Sequence, residues 1–290
     1  MRQDGFSRCH PAVCFAFFAA VIGFSAVISH PAYTLAAFCG AMLYSVLLLG
    51  GRAALKRLVM LLPVVLLITF INPILNTNGK HTLFLLFGRK YTFEALCYGA
   101  SIAGMFAVML LWFGCYSEVM TADRFTALFG NLIPSLSLLL VMVLRLIPGM
   151  TRKAKQILSA RAAIGKGVTS DMSRKDRMAG GVGALSALTD WALEGSIVTA
   201  DSMLARGYGT ARRATFRRYR MTARDWLLLA AILLTGAAVI GFGGTGVSFT
   251  PRLNIPMVGK GFAAYCALLL IPPVIDIKEA LVWHFSRSGI

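Results

Sequence analysis

Residues 131–150 read NLIPSLSLLLVMVLRLIPGM. A run of about twenty apolar residues can cross a hydrocarbon core about 30 Å thick. Whether this one crosses decides on which side everything after it lies. Directly downstream, residues 151–224 carry 15 lysines and arginines against five acids, a net +10 of the chain's +17. A basic side chain at the bilayer centre costs about 2.5–3.5 kcal/mol, and basic loops stay on the cytoplasmic side. Arg2 and Arg8 precede the first apolar run, and four runs bring the chain back to its starting side near Cys115. A fifth crossing at 131–150 would strand the basic module outside. Pro134, Arg145 and Pro148 also oppose a simple span. The expectation is a helix in the membrane interface or packed under the bundle.

The rest of the composition agrees with a chain that lives in a bilayer. Of 290 residues, 57% are hydrophobic and the mean hydropathy is +0.71, above the 45–50% apolar share of soluble domains. Spans are expected at about 12–29, 31–50, 55–71, 95–114, 226–246 and 262–275. The first has the flanking charge of a signal peptide but is long enough to span, so it reads as an uncleaved anchor. The fold class is therefore all-α: a polytopic membrane protein of about six transmembrane helices plus a cytoplasmic helical module that carries the basic surplus. Three regions follow: N-terminal membrane helices at 1–114, interfacial and cytoplasmic helices at 115–225, and C-terminal membrane helices at 226–290. Even parity puts both termini in the cytoplasm. Lys80, Arg89 and Lys90 in the external loop 72–91 speak mildly against this orientation.

Within the basic module, 151–163 has good helix formers and ends toward Gly165. Ser173 with Asp176 resembles a capping box, and a second helix is expected over about 183–206. On that helix Asp190, Glu194 and Asp201 share one face. A solvated stripe and pairing with neighbouring basic helices are the two readings of it.

Chemistry is sparse. The six cysteines form no CxxC pair, and the histidines have no ligand-like spacing. Gly165-Lys166-Gly167 lacks the spacing of a phosphate loop. No intramembrane pair of acids divides acid and base roles. No catalysis, cofactor or metal is expected of this chain. Two local patterns stand out: Ala160-Arg161-Ala162 with Gly165 after it, and Ala205-Arg206-Gly207. Each puts an arginine at a helix end, before a glycine able to adopt the left-handed cap. A cation there complements the helix dipole. Its small neighbours would also let the tip enter a groove and pair with a carboxylate.

At this point the chain resembles the transmembrane T component of energy-coupling factor (ECF) transporters, the EcfT/CbiQ family. The resemblance covers roughly residues 25–280. It rests on NPILNTNGKHTLF (72–84), FEALCYG (93–99), FTALFGNLIPSLSLLLVMVLRLIP (125–148) and WALEGSIVTADSMLARGYG (191–209). The paired Ala-Arg-Gly signatures fall on Ala160-Arg161-Ala162, with alanine in the glycine place, and on Ala205-Arg206-Gly207. The resemblance implies a non-catalytic subunit bridging two cytoplasmic ABC-type ATPases to a membrane-embedded substrate-binding S component. The two signature helices would dock in the two ATPases and pass their motion on. A vitamin or transition-metal ion, chosen by the S component, would be released inside a prokaryotic cell.

The charge surplus then has two candidate uses, acidic ATPase surfaces and the anionic inner leaflet. For Arg212, Arg213, Arg217, Arg218, Arg220 and Arg224, anchoring at the lipid surface is preferred. Gly99, Ser101, Ala103, Gly104 and Ala107 permit close helix packing, within this subunit in the preferred reading. The alternative function is a membrane enzyme acting on a lipid phosphate. A nucleic-acid binder ranks last, because few aromatic residues stand among the arginines.

Overall fold

The computed structural model describes residues 5–76, 82–86, 89–129, 134–165, 167, 173–210, 219–242 and 259–287. After a short turn at Phe6–Arg8 the described residues form nine helices: α1 (Pro11–Val27), α2 (Pro31–Leu49), α3 (Gly51–Leu75), α4 (Phe93–Val119), α5 (Ala122–Phe129), α6 (Pro134–Ala163), α7 (Arg174–Ala205), α8 (Ala223–Gly241) and α9 (Gly261–Arg287). Among the described residues, α2, α3, α4, α8 and the Gly261–Glu279 part of α9 are long and apolar enough to span a membrane, and α1 is a shorter apolar helix. The chain is an almost entirely helical, multi-pass membrane protein. Among the described residues the one sheet is an antiparallel pair that starts inside the loop expected at 72–91 and ends at Thr92. Strands β1 (Thr82–Leu86) and β2 (Arg89–Thr92) join through Leu86 opposite Arg89.

The chain divides into two compact units. One holds residues 1–125 and 219–290, so the helices on either side of the basic module form a single body. The other is 126–218.

The first unit is built on repeated local devices. His10-Pro11-Ala12 and His30-Pro31-Ala32 start α1 and α2 in the same way. Each histidine Nδ1 accepts a hydrogen bond from the N–H two residues on, at 3.2 Å. Each proline occupies the first turn, where no helical N–H is needed. Gly50, at φ +85°, makes the tight turn from α2 to α3. The opening of α8 is a true capping box: Asp225 Oδ2 accepts from Thr222 N and Oγ1, at 2.9 and 2.7 Å. Asp225 also accepts from His10 N at 3.0 Å, and Asp276 of α9 accepts from Phe6 N at 3.0 Å.

These bonds bring the N-terminal segment, the start of α8 and the late part of α9 to one end of the bundle. The turn after α2 belongs to the same end, since Phe6 meets Tyr44. So does the end of α4, where Glu118 pairs with Arg57 at 2.7 Å. The opposite end gathers the start of α2, the end of α8 and Gly261. The unit's chain therefore leaves at Phe125 and returns at Tyr219 at the same end.

Inside, Trp112 is fully buried among Phe17, Phe18 and Tyr44. Its indole Nε1 donates to Ala37 O at 3.2 Å. The outward faces are apolar: Val59, Met60, Leu67 and Phe70 of α3 are well exposed, as a lipid-facing surface requires. Cys9, Cys14 and Cys115 are buried free thiols, whereas Cys39 is exposed. Burial pushes the Cys9 thiol above its ordinary value.

The small residues of α4 serve packing within this chain. A Cβ at Gly99 would stand 2.8 Å from Asn72 Cβ and 2.9 Å from the Thr69 carbonyl of α3. That carbonyl is backbone and cannot step aside. Gly99→Ala is expected to lower stability by about 1–3 kcal/mol. Gly23→Ala, facing open space, serves as the control. Thermal unfolding of the two purified variants checks this; equal midpoints would refute the close α3–α4 contact.

The second unit corrects three expectations. First, α6 is one continuous helix of 30 residues, not an interfacial helix followed by a separate one at 151–163. Pro148 removes one hydrogen bond but does not end the helix. Thr151 and Arg152 bond back to the carbonyls of Ile147 and Pro148 across this turn. Second, α7 begins at Arg174, nine residues before the expected start at Gly183. Gly180, Gly181 and Gly183 lower its intrinsic propensity, and packing on α6 overrides them. Third, Ser173 occupies the cap position, but its side chain makes no capping bond.

Candidate functional site

The two arginine-bearing helix ends lie in this second unit. α6 and α7 pack side by side and antiparallel. Arg161 meets Gly183, Lys153 Nζ sits 5.7 Å from the Trp191 ring centroid, and residues 138–149 face 191–203. These pairs keep one register along both helices. At 1.5 Å per residue, the 23 residues from Gly183 to Arg206 put the two arginine ends about 35 Å apart, at opposite ends of the pair. The structure therefore separates the two signatures rather than assembling them into one site.

Each end closes as the spacing predicts. Gly165 has φ +74° and its N–H donates to Ala162 O at 3.1 Å. Gly207 has φ +78°. Its N–H donates to Leu204 O at 2.9 Å, and Tyr208 N donates to Met203 O at 3.0 Å. The two latter bonds are a Schellman cap. Arg161 lies in the last turn of α6, and Arg206 is the cap residue of α7. Ala160, Ala162, Ala205, Arg206 and Gly207 are exposed, and Arg161 is half-buried. Ala162, in the place where the resemblance expects glycine, is backed by Gly167. A Cβ at Gly167 would stand 2.9 Å from its Cα.

Between the helices runs an apolar groove of about 780 Å³. Leu138, Met142 and Leu146 line it from α6, and Trp191, Thr199 and Met203 from α7; among the described residues Arg145 is its one charged lining residue. On the far side of α7, Asp190, Glu194 and Asp201 are exposed. Among the described residues no ion pair involves them, which favours the solvated-stripe reading.

Of the cluster after α7, Arg212, Arg213, Arg217 and Arg218 lie outside the described residues. Arg224 pairs with Glu279 at 3.3 Å within the first unit. Among the described residues, no three His, Cys, Asp or Glu side chains converge as a metal site. The groove, the Lys153–Trp191 contact and the seat of Arg161 on Gly183 were not anticipated. Their one sequence signal is the glycine run at 180–183, which lets another group approach the start of α7.

No protein-family model and no curated protein matches the chain.

Proposed function

We propose that this protein is the non-catalytic membrane coupling subunit of an ABC-type importer, the T component of an energy-coupling factor transporter. One observation carries the reading. Two capped, arginine-bearing helix ends stand about 35 Å apart on a unit that the chain inserts between its fourth and fifth apolar membrane helices. Two separated cationic tips suit two separate acceptors better than one catalytic centre. The acceptors are a pair of cytoplasmic ATPases, each offering a groove with a carboxylate to one guanidinium.

The charge distribution supports the orientation. Arg8, Arg52, Lys56, Arg57, Arg124, Arg224 and Lys278 gather at the end of the bundle that holds the N-terminal segment. The positive-inside rule makes that end cytoplasmic, with both termini there. The membrane is then the plasma membrane of a prokaryote. ATP-driven changes in ATPase spacing shift the helical pair, and the shift is passed to an S component that carries a vitamin or transition-metal ion.

Purification of the tagged full chain from native membranes in mild detergent tests this. Two ATP-hydrolysing subunits and a small hydrophobic membrane protein are expected to remain bound. Isolation without any ATPase would overturn the reading. Turnover of a lipid phosphate by the isolated chain would install the enzyme alternative in its place.

A further inference from the structure

Arg161 does not project freely from the end of α6. Its guanidinium covers Gly183 of α7, where a Cβ would stand 2.9 Å from Nη1, 3.2 Å from Nη2 and 3.3 Å from Cζ. Glycine is the one residue that leaves that space. Gly181, two residues earlier, and Gly195, further along the same helix, have nothing within 4 Å of a Cβ position. Among the described residues Arg206 has no such seat. It is exposed, and the glycine beside it meets only its own turn, through Thr210 Oγ1. Among the described residues neither arginine is held by an ion pair. The Arg161 guanidinium thus lies against the bare backbone of Gly183.

A long side chain loses rotamer freedom when it docks. A side chain already seated has given up much of that freedom before the partner arrives. We infer that Gly183 is a positioning residue for Arg161, and that the two coupling ends are therefore unequal: one presents a pre-organised guanidinium, the other a free one. The inference rests on the coupling reading above and adds an asymmetry to it. The ATPase carboxylate at the α6 end meets a fixed partner. The one at the α7 end must order Arg206 as it binds.

Gly183→Ala tests this directly. The obstructing atoms are the far end of a flexible side chain, so the methyl group displaces Arg161 and leaves the helix intact. Alanine is also the better helix former, so melting temperature should hold or rise. The readout is affinity of the full-length membrane protein for its ATPase pair, with ATP-driven uptake alongside. Gly183→Ala is expected to weaken ATPase binding about two- to tenfold, while Gly181→Ala leaves it unchanged. The decisive measurement is a double-mutant cycle. In an Arg161→Ala background Gly183→Ala should have no further effect, whereas its effect should add in full to that of Arg206→Ala.

Wild-type binding by Gly183→Ala, with Arg161→Ala clearly weakened, would overturn the seat and leave the coupling reading standing. An equal loss from Gly183→Ala with and without Arg161 would also overturn it, since the glycine would then act on α7 itself. Wild-type binding by Arg161→Ala would remove the coupling reading and the seat together.

Discussion

Arg161→Glu combined with Arg206→Glu is expected to abolish copurification with the ATPase pair and ATP-driven uptake. Each substitution removes a guanidinium and puts a negative charge where the partner carboxylate would lie. Truncating one member of a desolvated charge pair costs about 2–5 kcal/mol, roughly 30- to 4,000-fold in affinity, and like-charge contact adds to that. Two such losses on one complex leave nothing measurable. Three controls isolate the cause. Arg174→Glu with Lys175→Glu alters net charge equally on the same unit, at exposed positions, and should keep binding. Arg161→Gln with Arg206→Gln tests lost pairing without repulsion and should lie between. Helicity should hardly change, because the dipole term at a helix end is about 0.3–1 kcal/mol. Survival of uptake in the double glutamate variant would end the docking role of both arginines.

Trp112→Ala should have the largest effect on stability. The side chain is fully buried. It stacks on Tyr44 at 6.2 Å and 22°, meets Phe17 and Phe18 edge-on, and bonds to the α2 backbone. Truncating a core aromatic costs about 3–5 kcal/mol in soluble proteins. In a bilayer the surroundings are apolar on either side of unfolding, so the transfer part shrinks, while the lost dispersion contacts remain. About 3 kcal/mol is therefore expected. Trp112→Phe keeps most of the ring packing and loses the indole donor, so its loss should be smaller. Thermal unfolding of the purified variants in one detergent ranks the three. A Trp112→Ala protein as stable as wild type would mean that α1, α2 and α4 do not meet through this ring.

The membrane helices were legible because lipid leaves a chain few choices. A segment without water must satisfy its own backbone, and it must be about twenty residues long. Hence α2 and α4 contain the apolar runs that announce them. The ends were less legible, since polar residues join a helix through partners far along the chain. Arg52 lies before the run expected at 55–71, yet the helix already begins at Gly51, and Arg57 within it reaches Glu118. The strands around 82–92 are too short to stand out from a loop. Of the candidate site, both arginines and both glycine caps were readable as local patterns. Their separation and the seat on Gly183 were not. Those depend on the register between α6 and α7, which ten intervening residues and no periodic signal specify.

The N-terminal segment holds one further consequence, in the order of biosynthesis. Phe6 and His10 are made well before the carboxylates that accept their N–H groups, Asp276 of α9 and Asp225 of α8. Between the membrane helices the ribosome must first make the 93 residues of the inserted unit, which takes roughly 5–20 s at ordinary elongation rates. During that interval α1 and α2 wait in the bilayer. Ser25 lacks Tyr265, and the Gly40 surface lacks Leu269. The half-built bundle is a species that insertion factors and membrane proteases can meet. The ring of contacts closes only once α9 is made.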